Sequence, residues 1–190
     1  SIPSLAGLSN LEVLQAIDNQ LTGPLPSLTG LSNLLVFQVS GNHLTGPIPP
    51  LTGLARLARL DVSANQLTGS IPSLSGLSGL RGLIVSNNQL TGNAPAVPTP
   101  NTLETHNSRL CPNYLDHTSN PAWDDATGTT PWYRDCGAIP AADFTYTPLW
   151  PATGDVVTFL DSSTGEPMSW SWSFGDGGRS TRRNPSWVFS

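Results

Sequence analysis

The feature that most constrains this chain is an internal repeat of 23 residues. The tripeptide Leu-Thr-Gly begins at residues 21, 44, 67 and 90, and in each copy an asparagine stands two positions before it. Four copies in one phase are not a product of composition, and a fixed period of this length is typical of stacked structural repeats. Because one such unit cannot bury its own apolar side, the repeat predicts a curved solenoid whose units pack against their neighbours.

The third copy indicates how each unit folds. Leu60 and Val62 alternate with polar residues, which predicts a short strand with inward-facing apolar side chains. Gly69 permits an unusual turn. Residues 73–80 are too rich in Gly and Ser for a long helix, which predicts a 3₁₀ turn or one loose helical turn on the outer side. A buried asparagine at the same place in every coil can bond the bent backbone, so we expect a structural ladder of Asn19, Asn42, Asn65 and Asn88.

The whole pattern resembles the plant-type leucine-rich repeat, whose signature is L-x-x-L-x-L-x-x-N-x-L-T-G-x-I-P. One copy has Leu80, Leu83, Val85, Asn88 and the Leu-Thr-Gly of residues 90–92 in these places. The resemblance covers residues 1–110, as about four copies and a degenerate fifth. It implies an α/β leucine-rich-repeat solenoid with short parallel strands and a convex side of 3₁₀ turns and loops. Because the first residue falls inside a repeat, we expect further residues upstream.

The end of the repeats is predicted to be capped. Residues 111–136 are rich in aromatic side chains that can cover the open core of the last coil. A disulfide between Cys111 and Cys136 would stabilise this cap by about 3 kcal/mol. Two free buried thiols are the alternative, and a metal site is disfavoured because no nearby His or Cys completes a ligand set. Before the cap, one shortened strand is expected to place four residues in the repeat's Leu, Val, Asn and Leu positions, namely Leu103, Thr105, Ser108 and Leu110.

The chain changes construction after the cap. Residues 1–98 sum to zero charge, and residues 99–190 carry the whole net charge of −5. Residues 137–143 are predicted to be a linker. Turn signals then separate three expected strands of an antiparallel sandwich, over residues 144–148, 156–161 and 169–174.

Residues 144–190 resemble the PKD domain, an immunoglobulin-like β-sandwich found in many secreted bacterial proteins. The resemblance rests on Trp-Ser-Phe-Gly-Asp-Gly at 172–177, followed by Ser-Thr at 180–181 and Asn-Pro at 184–185. Ser173 stands where the family usually has Asp. The final strands of the family have no counterpart before residue 190, so the resemblance implies a truncated, partial all-β immunoglobulin-like sandwich.

Composition and motifs exclude several function classes. A net charge of −5, with no basic cluster larger than Arg182–Arg183, argues against a nucleic-acid binder. No apolar run approaches the roughly 20 residues of a membrane span. No Ser/His/Asp set, zinc motif or phosphate loop is present, and Asp124–Asp125 is interpreted as part of a turn. We therefore expect no catalytic residue, metal or cofactor, and structural or solvent-facing roles for His43, His106 and His117.

The remaining candidate is a surface. In each predicted strand, the side chains between the buried Leu and Val positions point to the concave side of the solenoid. They mix apolar groups with amide, hydroxyl and charged groups, which suits a protein or peptide partner. We call this set the concave face: Val13, Gln15, Ile17, Asp18, Val36, Gln38, Ser40, Arg59, Asp61, Ser63, Ile84, Ser86, Asn87, Glu104 and His106.

The predicted function is non-catalytic recognition of a protein or peptide through the concave face, with a cell-wall polysaccharide as an alternative ligand. The disulfide predicts an extracellular or cell-surface location, because disulfides persist in oxidising compartments. Two alternatives follow from the resemblances: the accessory region of a secreted bacterial hydrolase, and a cell-wall-enzyme inhibitor or receptor-kinase ectodomain segment. A further alternative is that the concave face binds nothing and only spaces other modules.

Overall fold

The structure is a computed structural model that describes residues 1–134, 136, 142–164 and 170–189. The chain divides into two compact units, Ser1–Gly137 and Ala138–Ser190. Most of the predicted linker lies outside the described residues. The elements in chain order are β1 (Val13–Gln15), β2 (Thr22–Pro24), β3 (Val36–Gln38), β4 (His43–Pro47), β5 (Arg59–Asp61), β6 (Gln66–Gly69), β7 (Gly82–Ile84), β8 (Gln89–Gly92), β9 (Tyr114–Leu115), α1 (Pro121–Thr127), β10 (Phe144–Thr147), β11 (Val156–Asp161), β12 (Trp172–Ser173), β13 (Arg179–Ser180) and β14 (Ser186–Val188).

The first sheet of the solenoid is parallel and has the strand order β1-β3-β5-β7. The middle residue of each strand points inward, and Phe37, Leu60 and Leu83 are at most 1% exposed. Each residue of a strand pairs with the residue 23 positions later in the chain, as Leu14 pairs with Phe37. Repetition of one buried position therefore builds a continuous core from strands that are only three residues long.

A second parallel sheet of five strands, β2-β4-β6-β8-β9, contains the Leu-Thr-Gly tripeptides and was not predicted from the sequence. Leu44, Leu67 and Leu90 of these strands are fully buried. The glycine of each tripeptide has a positive φ, such as +76° at Gly46, which explains why glycine recurs there. The consensus tripeptide thus belongs to a strand that turns at its glycine, instead of forming a plain turn.

The first unit is a parallel β-solenoid of about four turns, and in the described residues the outer arc of each coil consists of the expected turns and loops without a helix. In the third coil two consecutive turns close through bonds from Leu54 N to Leu51 O at 3.3 Å and from Leu57 N to Leu54 O at 2.9 Å. The spacing of three residues sends all three leucines inward, where each is at most 1% exposed. These short turns can form the outer arc without a helix because each turn buries one leucine side chain.

The side chains of the buried asparagines form hydrogen bonds between neighbouring coils. The Asn65 Oδ1 atom accepts the Leu44 N–H at 3.0 Å, and its Nδ2 atom donates to the carbonyls of Val39, Val62 and Ser63 at 3.0, 3.1 and 3.0 Å. These bonds satisfy backbone groups that the turn removes from the sheet. The same pattern recurs at Asn42 and Asn88.

Asn19 departs from this pattern. It is exposed, and its side chain makes one bond in the described structure, from Nδ2 to the Ile17 carbonyl at 2.8 Å. The other asparagines bond an amide of the preceding coil, and Asn19 lies in the first coil of the structure. A ladder asparagine therefore needs a coil before it.

The cap closes the far end of the solenoid. Helix α1 begins after Asn120, whose side chain accepts the Ala122 N–H at 3.2 Å, and it ends at Gly128 with φ +71°. Trp123 and Trp132 are at most 2% exposed, and their indole N–H groups donate to backbone carbonyls at 2.7 and 2.9 Å. Cys111 and Cys136 form the predicted disulfide.

The C-terminal unit contains small antiparallel sheets with an aromatic interior. One sheet has the order β10-β11-β14, and β12 pairs with β13. Phe159 of β11 is 9% exposed and lies 5.3 to 5.6 Å, centroid to centroid, from the rings of Phe174 and Trp172. Of the third predicted strand, only Trp172–Ser173 is extended in the described residues. The resemblance to the PKD domain stays a prediction.

Candidate binding face

Four parallel strands bring most of the predicted concave face together. One column of the sheet runs Val13, Val36, Arg59, Gly82, and the next runs Gln15, Gln38, Asp61, Ile84. Paired residues of a parallel sheet point to the same side, so these side chains form two adjacent columns. The remaining positions follow directly after the strands, at residues 17–18, 40, 63 and 86–87.

The first two coils present a mostly apolar surface. Val13 is 48% exposed and Ile17 is 40% exposed, and Val36 lies beside Val13. Gln15 and Gln38 are joined by a side-chain bond of 2.6 Å that holds the two amides along the sheet. Exposed apolar groups beside fixed polar ones are typical of a protein-binding surface.

The third to fifth coils present a charged surface. The Arg59 guanidinium donates to Asn107 Oδ1 at 3.0 Å across the strand that contains Gly82. Arg81 bonds Glu104 at 3.0 Å, and Asn107 Nδ2 donates to the other oxygen of Glu104 at 3.1 Å. These bonds link four side chains from three coils into one network.

Asp61 is the most buried acid of this face, with 9% of its surface exposed. Its Oδ1 atom accepts the Ser63 hydroxyl at 2.7 Å and the Ser63 N–H at 3.2 Å. A buried carboxylate needs such bonds to offset its lost hydration. Asp61 therefore also fixes the turn that leaves β5.

The fifth coil differs from the prediction. The expected strand put Ser108 in the asparagine position, but Asn113 occupies it: Asn113 Oδ1 accepts the Leu90 N–H at 3.0 Å, and Nδ2 donates to the carbonyl of Val85 at 2.9 Å. Arg109 pairs with Ile84, so the offset is 25 residues instead of 23. Two extra residues in the loop before this strand explain the shift.

This shift changes which side chains continue the concave face. Arg109 and Asn107 take the places beside Ile84 and Gly82, respectively. His106 lies in an exposed turn with φ +64° instead of in the strand row, and Glu104 reaches the face through its bonds to Arg81 and Asn107. The spacing Leu-x-x-Asn at residues 110–113, which matches Val-x-x-Asn at 85–88, was the signal that identifies this register.

The other predicted polar residues have structural surroundings. His43 is exposed on β4, and the His117 ring stacks on Tyr133 at 5.0 Å. Asp124 lies in α1, not in a turn, and accepts the Trp132 N–H at 2.6 Å. The described residues contain no group of three or more His, Cys, Asp or Glu side chains arranged to hold a metal ion. Nor do they include a helix long and apolar enough to cross a membrane.

The C-terminal unit has an aromatic cavity of about 460 Å³. Its walls include Phe144, Trp172 and Phe174, and Asp161 lies at its polar side. Hydrogen bonds from the Ser163 side chain, then from its backbone amide, and a bond from Arg183 hold the pKa of Asp161 below its ordinary value. The aromatic walls are the interior of the unit itself.

Three solved receptor structures are similar to the solenoid of this chain. The chain is 31% identical to Pollen Receptor Kinase 3, with a TM-score of 0.52, over 59% of this chain and 55% of that one. It is 30% identical to a TDR receptor, with a TM-score of 0.52, over 62% and 25% of the two chains. The BIR2 ectodomain from Arabidopsis thaliana is 27% identical, with a TM-score of 0.51, over 67% and 74%.

These likenesses show that the first unit is a β-solenoid similar to the leucine-rich-repeat ectodomains of plant receptors. The chain spans about half the length of Pollen Receptor Kinase 3 and a quarter of the TDR receptor. No family model and no curated protein matches this sequence.

Proposed function

We propose that this chain is a non-catalytic extracellular recognition module that binds a protein or peptide partner through the concave face. The observation that carries the proposal is the register of the first sheet, which places exposed valine and isoleucine side chains beside fixed amides and charges on four adjacent strands. Four strands about 4.8 Å apart provide a surface long enough for an extended segment of several residues.

The solved relatives favour recognition over catalysis, because they are receptor ectodomains. They also favour the receptor-segment alternative over the accessory region of a hydrolase. The disulfide and the likeness to ectodomains both indicate an extracellular location.

The C-terminal unit has a separate proposed role. We infer that residues 144–190 are a PKD-like domain, supported by the motif at 172–177 and by the antiparallel pairing of β10, β11 and β14. Its β10 is the edge strand that the alternating sequence at residues 144–147 predicts. A spacer beside the recognition unit is the function that fits this interpretation.

The test of the recognition role is a selection on the immobilised protein with a displayed library of random 12-residue peptides. We expect enriched peptides whose binding is lost in Val13→Asp, which places a charge in the apolar half of the concave face. Leu8→Asp is the matched control, because both side chains are 48% exposed and Leu8 precedes the first strand. Peptides that bind both variants as well as they bind the parent protein would place recognition elsewhere and overturn the proposal.

A further inference from the structure

The two halves of the concave face differ in charge as well as in polarity. The apolar half is flanked by two exposed acids, Glu12 and Asp18, and has no basic side chain. The charged half contains three arginines, Arg59, Arg81 and Arg109, and two acids. The face therefore changes from negative at the first coil to positive at the third to fifth coils.

The acids of the charged half are already bonded within the solenoid. Glu104 binds both Arg81 and Asn107, and Asp61 accepts two bonds from Ser63. Among the described residues, neither Arg59 nor Arg109 has a carboxylate within ion-pair distance. The positive charge of these two arginines is therefore the excess of this half.

The position of Arg59 depends on Gly82. The guanidinium spans β7 to reach Asn107, and Gly82 in that strand has no side chain to obstruct it. A Cβ atom at Gly82 would lie 2.6 Å from the Asn107 carbonyl oxygen and 3.0 Å from its Cγ. One Arg59 nitrogen bonds Asn107, so the guanidinium is held against the sheet while its other donors stay available.

Arg109 is exposed and lines a hollow of about 300 Å³ together with Ser108, Leu110 and Cys111. Two cap threonines with polar side chains, Thr127 and Thr129, and Trp132 complete the lining. No described side chain accepts a bond from the Arg109 guanidinium. A guanidinium beside a small polar space suits a carboxylate, which arginine binds through two parallel N–H groups.

We propose that the concave face binds an extended peptide segment that is apolar at one end and acidic at the other. The apolar side chains lie against Val13, Ile17 and Val36, and the acidic side chains bind Arg59 and Arg109. Glu12 and Asp18 repel the acidic end from the first coil, so the charges also set the direction of the segment. This inference rests on the proposed recognition function and specifies its partner.

The test uses the same displayed 12-residue library, with sequence composition as a second readout. Selected peptides are expected to combine Asp or Glu with apolar residues separated along the peptide. Affinity for Arg59→Glu/Arg109→Glu is expected to fall at least about tenfold, since two charge-assisted contacts become repulsive. Replacing the peptide's acids by Lys is expected to restore binding to that variant.

Arg56→Glu is the matched control, because Arg56 is exposed, precedes β5 and bonds Asn33 instead of facing the strand columns. It is expected to bind the selected peptides as the parent protein does. Circular dichroism and thermal unfolding of each variant check that the solenoid is intact. If Arg59→Glu/Arg109→Glu unfolds, Arg109→Glu alone, at an exposed position, is expected to reduce affinity about threefold or more.

The outcomes separate the two proposals. Peptides that are lost with Val13→Asp but carry no excess of acids, and that bind the double arginine variant unchanged, overturn this inference and leave recognition by the concave face in place. Peptides that are insensitive to Val13→Asp overturn the recognition proposal. Enrichment of basic peptides contradicts the charge argument directly.

Discussion

The two units of this chain bury their apolar residues in opposite ways. The solenoid uses mainly leucine side chains at fixed positions, and leucines such as Leu57 and Leu80 have no exposed surface. The C-terminal unit uses large aromatic rings, yet it leaves Phe144 50% exposed and Trp150 93% exposed. A repeat can seal its core with short strands because each coil is covered by the next, whereas a small sheet has no such neighbour.

The largest expected effect is at the centre of the aromatic unit. Phe159→Ala removes the ring that contacts Trp172, Phe174 and Phe189, and it is expected to cost about 3 to 5 kcal/mol. Hydrogen exchange is expected to show loss of protection in the strands of the C-terminal unit and not in those of the solenoid. Loss of protection in the solenoid as well would show that the two units do not unfold independently.

The ladder provides the next comparison, this time within the solenoid. Asn65→Ala leaves the buried Leu44 N–H and three carbonyls without their bonds, and it is expected to cost about 3 kcal/mol. Asn19→Ala removes one bond at an exposed position and is expected to change stability by less than about 0.5 kcal/mol. Urea unfolding measures both. Equal costs would contradict the claim that a ladder asparagine needs a coil before it.

A smaller, stabilising effect is expected at Ala64. Its φ is +50°, a left-handed conformation that disfavours a residue with a Cβ atom, and Gly41 holds the same position of the preceding coil at +67°. Ala64→Gly is therefore expected to stabilise the solenoid by up to about 1 kcal/mol, after the entropic cost of glycine in the unfolded chain. Ala58→Gly, at a position without positive φ, is the control and is expected to destabilise. Thermal unfolding distinguishes the two signs.

The smallest effect concerns acid sensitivity of the C-terminal unit. The Trp187 indole N–H, which donates to Asp176 Oδ2 at 2.8 Å, lowers the pKa of Asp176, as bonds from Ser163 lower that of Asp161. Lowered pKa values contribute stability that is present above the ordinary pKa of 3.8 and is lost as the pH falls through the folded-state values.

We expect the protection of β11 and β14 from hydrogen exchange to weaken below about pH 4. Asp161→Asn/Asp176→Asn is expected to flatten this dependence, and Asp155→Asn is the control. A pH profile that the double substitution leaves unchanged would rule out these two carboxylates as its source.

The contrast between repeated and non-repeated regions also explains which features could be predicted from the sequence. The period of 23 residues indicated the solenoid, its first sheet and three of the four ladder asparagines, because each inference was repeated in every coil. Where the 23-residue period ended, the pairing register of the fifth coil was predicted wrongly, and Arg109 was missed as a neighbour of Ile84. The second sheet was also missed, because Leu-Thr-Gly has the composition of a turn and forms a strand only when neighbouring coils offer it partners.

The fifth coil tolerates its altered length because the two extra residues lie in the loop and not in the paired segment. Ser108 and Leu110 remain buried, and Arg109 between them remains exposed and paired with Ile84. A shift of one residue within the paired segment would instead bury the guanidinium and expose a leucine, because side chains of an extended segment alternate between the two faces. Coils added to this solenoid, by evolution or by design, are therefore free to differ in loop length, as long as each paired segment keeps its register with the coil before it.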